Sequence, residues 1–274
     1  MRRQAGFTLV ELVAVIVLLG IVAASSTQFI LQAVGIYRDS TRRDNLTQTG
    51  RFAVERITRE LRNALPGSIR VRVAADNSVQ CVEFVPVVAA TAYLNNIAGT
   101  AISSLDVVDF SQPVSPSYSD DQVVIFPLQG ASFYAGGSQY RTGLASVSAA
   151  SGGVRTLTFD SAHRFNNDSP QRRLYIVDQP VSFCASDNSL TRHQGNGGSY
   201  TYSATQPLPP SNGVLLAQYI RLQDDSSSPL DVFFYQNGTP YRNAVVTMDL
   251  RFSDAQAADE SVSFNQQVVL RNTP

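Results

Sequence analysis

The sequence predicts an α+β chain: one long N-terminal α-helix, membrane-spanning in its first half, packed on a mainly antiparallel β-sheet head. Three observations carry that expectation. Between Phe7 and Leu65 only glycine interrupts a helical pattern, and Pro66-Gly67 then stops it. The early part of this stretch, from Leu12 to Ala24, is apolar on every side, as a helix surrounded by lipid has to be. Beyond Pro66 the pattern changes to short apolar runs divided by Gly, Pro, Asn and Asp, the signature of strands and turns.

The helix is expected over residues 7–65, with its membrane-spanning part at about 7–33. At 1.5 Å per residue it would run about 90 Å. Polarity rises from Ser25 to Gln28, and Arg38, Asp39, Arg42, Arg43 and Asp44 read as solvent-facing. The last turns are amphipathic: Val54, Ile57, Leu61 and Leu65 fall on one stripe, which should lie against a sheet. Glu55, Arg56, Arg59, Glu60 and Arg62 take the other face. That face reads either as a contact for neighbouring chains or as a solvated surface with helical ion pairs.

The head, residues 66–274, should hold strands at 69–73, 80–85, 105–110, 122–128, 154–159, 173–177, 181–184 and 189–193. Val123-Val124-Ile125-Phe126 is continuously apolar, so it should be buried on both faces. Asp187-Asn188 reads as a hairpin turn, and Pro207 to Asn212 as a connector between two sub-sheets. Val232 to Tyr235 followed by Asn237-Gly238 reads as a strand and a tight turn. Val246, Met248, Leu250 and Phe252, then Val262, Phe264, Val268 and Leu270, alternate with polar neighbours, as half-buried antiparallel strands do.

One residue breaks the apolar logic. Glu11 sits at the start of the hydrophobic run. A carboxylate at the centre of a spanning helix costs roughly 2.5–3.5 kcal/mol, while each Leu, Ile or Val returns about 0.3–0.6 kcal/mol. The run can outweigh that cost, and an ionisable residue kept in such a place usually marks function with a partner nearby. An ordinary secretory signal with a small-residue cut between Ala24 and Ser25 also has a basic start and an apolar centre. Glu11 inside that centre argues against it.

Arg2-Arg3-Gln4-Ala5-Gly6 followed by Phe7-Thr8-Leu9-Val10-Glu11 closely resembles the leader and mature start of type IV prepilins and type II secretion pseudopilins. The resemblance implies a type IV pilin-like fold and a leader of residues 1–6, removed by prepilin peptidase between Gly6 and Phe7. It also implies N-methylation of Phe7, and a role for Glu11 in assembly, reaching the Phe7 amine of an adjacent subunit. The spacing makes physical sense. Residues four apart share a helix face, and cutting after Gly6 creates a cationic amine beside the carboxylate. The length of the head and its ending, Gln267-Val268-Val269-Leu270-Arg271-Asn272, resemble the larger minor pilins of the J or W kind and those of the mannose-sensitive haemagglutinin pilus. Leu65 to Val71 and Phe183-Cys184 add to that likeness. The implied partners are a major pilin, other minor pilins, prepilin peptidase and the inner membrane. The implied location is the inner membrane with a periplasmic head, then the pilus, at its tip. A J-like pseudopilin and a tip adhesin for surface glycans are the alternative roles.

Cys81 and Cys184 are the two cysteines. In an oxidising compartment such a pair usually forms a disulfide, here closing a loop of about 100 residues worth roughly 4–5 kcal/mol in the chain-entropy picture. Two unpaired buried thiols are the alternative. The formal net charge of -1 provides no bulk attraction to nucleic acid. Enzyme chemistry has little to stand on, and no cofactor or metal is expected. The two histidines, His163 and His193, have no second ligand at metal spacing, and His193 reads as a surface residue. Asp224-Asp225 and Asp254 with Asp259-Glu260 lack calcium-loop spacing, which favours solvated loops. Tyr200 and Tyr202 beside the glycines at 195–198 form the one candidate sugar-binding surface.

Overall fold

The computed structural model describes residues 8–97, 99–110, 120–127, 130–186, 188–195, 201–224, 226–238, 242–253 and 260–270. The chain divides into two compact units, Met1–Thr47 and Gln48–Pro274. Helix α1, Leu9–Leu61, runs through both. In the first unit its apolar residues are exposed, from Leu9 at 78% to Tyr37 at 74%. Two hydroxyls that follow the apolar run are satisfied within the helix. Ser25 donates to the Ile21 carbonyl at 3.0 Å and Thr27 to the Ala23 carbonyl at 2.9 Å, so neither leaves an unpaired donor in an apolar setting.

In the second unit the helix buries Ile57 and Leu61 of the expected stripe; Ala53 is fully buried beside them, while Val54 is only half-buried. The helix ends at Leu61, four residues before Leu65. Asn63 and Ala64 close a tighter turn onto Glu60 and Leu61, and the chain then becomes extended. Leu65 N–H donates to the Val85 carbonyl at 2.8 Å, and Val87 N–H to the Asn63 carbonyl at 2.9 Å. The residue before a proline avoids the helical region, so Leu65 takes a strand-like partner instead.

Fourteen strands follow among the described residues: β1 Arg70–Val73, β2 Val79–Phe84, β3 Val87–Ala92, β4 Ala101–Val108, β5 Gln122–Val124, β6 Arg141–Val147, β7 Val154–Arg164, β8 Arg173–Val177, β9 Val181–Ser186, β10 Ser189–Gln194, β11 Val214–Gln218, β12 Phe233–Gln236, β13 Ala244–Ser253 and β14 Ser261–Leu270. A short helix, α2, spans Gly130–Tyr134. The strands form three sheets, ordered β1-β2-β9-β10-β11, β12-β13-β14 and β3-β8-β5-β6-β7-β4. Every pairing between them is antiparallel.

β13 shows the alternation most plainly: Val246, Met248, Leu250 and Phe252 are fully buried and their neighbours are not. β5 lies between β8 and β6. Val123 and Ile125 enter one core cluster and Val124 another, so the strand is buried on both faces as expected. It stops at Val124 because Phe126 takes a positive φ of 48°, which breaks an extended ladder.

Several expectations are corrected. β3, β6 and β11 are strands the pattern did not signal. β6 carries Gly143, where a Cβ would overlap the Asp160 carboxylate of β7. That glycine serves a close approach between strands. Residues 207–212 do not join two sub-sheets; they return the chain from β10 to its neighbour β11 in the same sheet, through a cis Leu208-Pro209 bond. Asn237-Gly238 does not form a two-residue turn. Gln236 pairs with Val245, so a longer loop intervenes, because the register that sets buried Phe233 opposite buried Met248 fixes the strand pairing. Asn188 has the left-handed φ of 65° that a hairpin turn requires; Asp187 lies outside the described residues.

Three contacts tie the second unit together. Glu60 of α1 accepts from Arg192 Nε of β10 at 3.0 and 2.9 Å on its two oxygens, and also pairs with Arg56. A Cβ at Gly50 would overlap the Phe264 ring of β14, so the missing side chain lets helix and sheet touch. Buried Gln80 of β2 donates to the Leu230 carbonyl at 2.6 Å and accepts from Val232 N–H at 2.9 Å. Its amide thereby stands in for a strand between the five-stranded and three-stranded sheets.

Candidate functional site

The strongest candidate is the start of α1. Thr8 caps the helix: its Oγ1 accepts from Glu11 N–H at 3.3 Å and its carbonyl from Leu12 N–H at 3.2 Å. This is half of the Thr-x-x-Glu capping box. It puts Glu11 in the first turn, where a negative charge meets the positive end of the helix dipole. The spacing of Thr8 and Glu11 was the signal for that cap, and it was available in the sequence. Among the described residues no side chain pairs with the Glu11 carboxylate. Gly6 and Phe7, the expected cleavage and methylation positions, lie outside the described residues.

Behind Glu11 the helix presents a broad apolar surface. Leu12, Ile16, Leu19 and Val22 are all more than half exposed, as are Phe29, Leu31 and Ile36 further on. α1 is long and apolar enough to cross a membrane by length and composition. An uncovered apolar surface of this extent needs lipid or another apolar helix against it.

The structure joins Cys81 and Cys184 in a disulfide. They are register partners on β2 and β9, and both are fully buried.

The remaining candidates are structural. His193 is buried, not on the surface. Its Nδ1 lies 3.2 Å from the Ser211 carbonyl and its Nε2 2.9 Å from Thr191 Oγ1. Burial pushes its pKa down. A Cβ at Gly213 would overlap its ring, so the glycine lets the chain pack directly against the imidazole. Burial likewise lowers the pKa of His163, whose ring stands edge-on to Phe165 at 4.6 Å. Asp224 Oδ1 accepts from Ser226 and Ser228 N–H, each at 2.8 Å, and so closes a turn; Asp225, Asp254 and Asp259 lie outside the described residues.

Tyr202 does not offer an open platform for a sugar. Its ring packs against Phe133 and Tyr134 with the Arg141 guanidinium 4.2 Å away. Its hydroxyl donates to the Asp178 carbonyl at 2.8 Å, and burial raises its pKa. Tyr200 lies outside the described residues.

Sequence reasoning missed Asp121. It is buried, its Oδ2 has no hydrogen-bond partner, and burial followed by Asp178 and Asp120 pushes its pKa up to about 6. Only the register, which places Asp121 one step beyond the Gln122–Val177 pair, brings it beside Asp178.

Comparison with known proteins matches residues 1–27 to the prokaryotic N-terminal methylation motif. No curated protein and no solved structure matches. The motif indicates a type IV pilin-like or pseudopilin precursor, a structural class with no enzymatic activity implied. The α+β layout, with a long apolar N-terminal helix and antiparallel sheets, fits that class. The motif implies processing by prepilin peptidase and assembly with other pilins, and with the apolar helix it fits a membrane-anchored pilus component.

Proposed function

We propose that this chain is a minor pilin that primes or caps assembly of a type IV pilus, of the MshO type in a mannose-sensitive haemagglutinin pilus system. The chain is held in the inner membrane as a single-pass precursor with residues 66–274 in the periplasm. Prepilin peptidase cuts between Gly6 and Phe7, and the Phe7 amine is methylated. The mature chain then joins other minor pilins and the major pilin, ending at the pilus tip.

The observation that supports this reading is the pairing of an uncompensated Glu11 with an exposed apolar helix. Cleavage supplies a cation four residues from Glu11 on the same helix face. Inside a bundle of apolar helices an acid and an amine interact far more strongly than in water. Glu11 of one subunit against the Phe7 amine of the next would therefore set axial register. In the uncut chain that position is a neutral peptide, so assembly waits for processing. The same mechanism serves a type II secretion pseudopilin, and the genes beside this one distinguish the two: a major pilin and pilus motor, or a secretion operon.

The test is Glu11→Val expressed without the native gene. The variant should insert, fold its disulfide-bonded head and fail to support piliation. Normal piliation would refute the mechanism. Intact mass of the exported chain should show Phe7 first, one methyl heavier; a chain beginning at Ser25 would refute the processing.

A further inference from the structure

All six strands of one sheet, β3 to β8, lie between β2 and β9 in the sequence, and no strand of the other sheets does. The chain therefore leaves the five-stranded sheet after β2, builds a complete second sheet, and returns as β9 at the position next to β2. Phe84 and Val181, the last residue of β2 and the first of β9, are register partners. The Cys81–Cys184 disulfide crosses the same pair of strands three residues inward.

The inserted sheet closes on itself. Its two edge strands meet: Tyr93 bridges Val107, Leu94 N–H donates to the Asp106 carbonyl at 3.0 Å, and Thr91 Oγ1 donates to the Val108 carbonyl at 2.6 Å. Closure removes the unpaired edges that otherwise make a sheet depend on a neighbour. Its core is its own as well. The buried cluster that includes Tyr93, Leu105, Val123, Leu157, Phe159 and Ile176 draws every one of its members from residues 89–176.

The joint to the rest of the unit is a separate, smaller cluster. Leu65 and Val85 meet Phe133, Tyr134, Tyr175 and Val177 there, Arg70 stacks on the Tyr134 ring at 3.7 Å, and Tyr134 donates to the Ser68 carbonyl at 2.8 Å. Away from that joint, Ser104, Thr158 and Ser146 form an exposed row across β4, β7 and β6. A neutral hydroxyl surface of this kind suits solvent and not a packed apolar interface.

We infer that residues 87–177 are an autonomous β-barrel module inserted into the strand pair β2–β9, and that the module takes no part in assembly. A closed barrel with a private core can fold without its host. The host loses little by its presence, because the two ends of the insert leave and return side by side. The disulfide fastens the strand pair just inside that junction. The division of labour rests on the pilin reading above: helix and host sheets assemble, and the barrel is carried into solvent.

Native-state hydrogen exchange of the full chain in detergent, across a denaturant series, tests autonomy without depending on the pilin reading. Amides of Leu105, Leu157 and Ile176 should open as one group, with a denaturant dependence distinct from that of Cys184, Val246 and Met248. A single common opening for both groups would overturn the inference. The division of labour is tested by replacing residues 85–180 with Asn-Gly, which turns β2 and β9 into a hairpin. Entry of that variant into filaments, with Cys81 and Cys184 bonded, supports it; a folded variant excluded from filaments overturns it. A hairpin variant that fails to fold also overturns the inference, because the host would then depend on the insert.

Discussion

The clasp between α1 and β10 allows a quantitative test. Arg192 Nε reaches both oxygens of Glu60 at 3.0 and 2.9 Å, and the two side chains are 22% and 16% exposed. Exposed ion pairs contribute about 0–1 kcal/mol, and hydrogen bonds to charged groups about 1.5–3 kcal/mol. A pair four-fifths withdrawn from water falls between these figures. Arg56 also pairs with Glu60, so Arg192→Met does not strand the carboxylate; the expected loss is about 1–2 kcal/mol. Glu60→Gln leaves Arg192 without an anion and should cost about as much. In a double-mutant cycle the coupling should be about 1–2 kcal/mol, read from urea midpoints of a chain starting near Thr27. Because the pair is mostly buried, the coupling should change little between low and moderate salt. A coupling below about 0.3 kcal/mol, the usual limit of additivity, would refute the idea that this pair fastens helix to sheet.

Further outcomes follow from the same geometry. Gly50→Val places a branched side chain where the Phe264 ring stands and should cost about 1–3 kcal/mol by overpacking, seen as a lower urea midpoint. Asp121 binds its proton more tightly in the folded chain, with a pKa pushed up to about 6 from 3.8 by burial, then Asp178 and Asp120. Its contribution to stability is therefore fully present below pH 3.8 and is lost as pH rises through about 6. Asp121→Asn should flatten that dependence and be the more stable form at pH 7.5; an unchanged pH profile would contradict the assignment. Replacing Cys81 and Cys184 together with Ala releases a loop of 103 residues and should lower stability to complete unfolding by about 4–5 kcal/mol in the chain-entropy picture, measured by calorimetry.

Local pattern carried much of the fold. β8, Arg173–Val177, is the segment its apolar run marks, and the alternation of β13 matches its burial residue by residue. These elements were legible because periodicity reports which face is buried, and burial is what forms them. β3 and β11 were not. The exposed Val214 and Leu215 of β11 give no alternation to read, and β11 exists because β10 offers an edge to pair with. The end of α1 was misplaced for a similar reason: Leu65 leaves the helix to take the Val85 carbonyl, a partner twenty residues away in sequence that no local rule identifies.

The candidate site divides the same way. Gly6, Phe7, Thr8 and Glu11 fall within the matched residues 1–27, so the sequence alone determined the methylation motif and the apolar run behind it. A motif of this kind is read from spacing along one continuous segment, which needs no distant partner. What only the tertiary structure decided is everything that depends on register between distant strands. It sets Cys81 opposite Cys184, places Asp121 beside Asp178, buries His193 beneath Gly213, and closes a second sheet into a barrel between two strands that pair as though it were absent. Those contacts are fixed by which edges meet and which cores fill, quantities that belong to the folded chain as a whole.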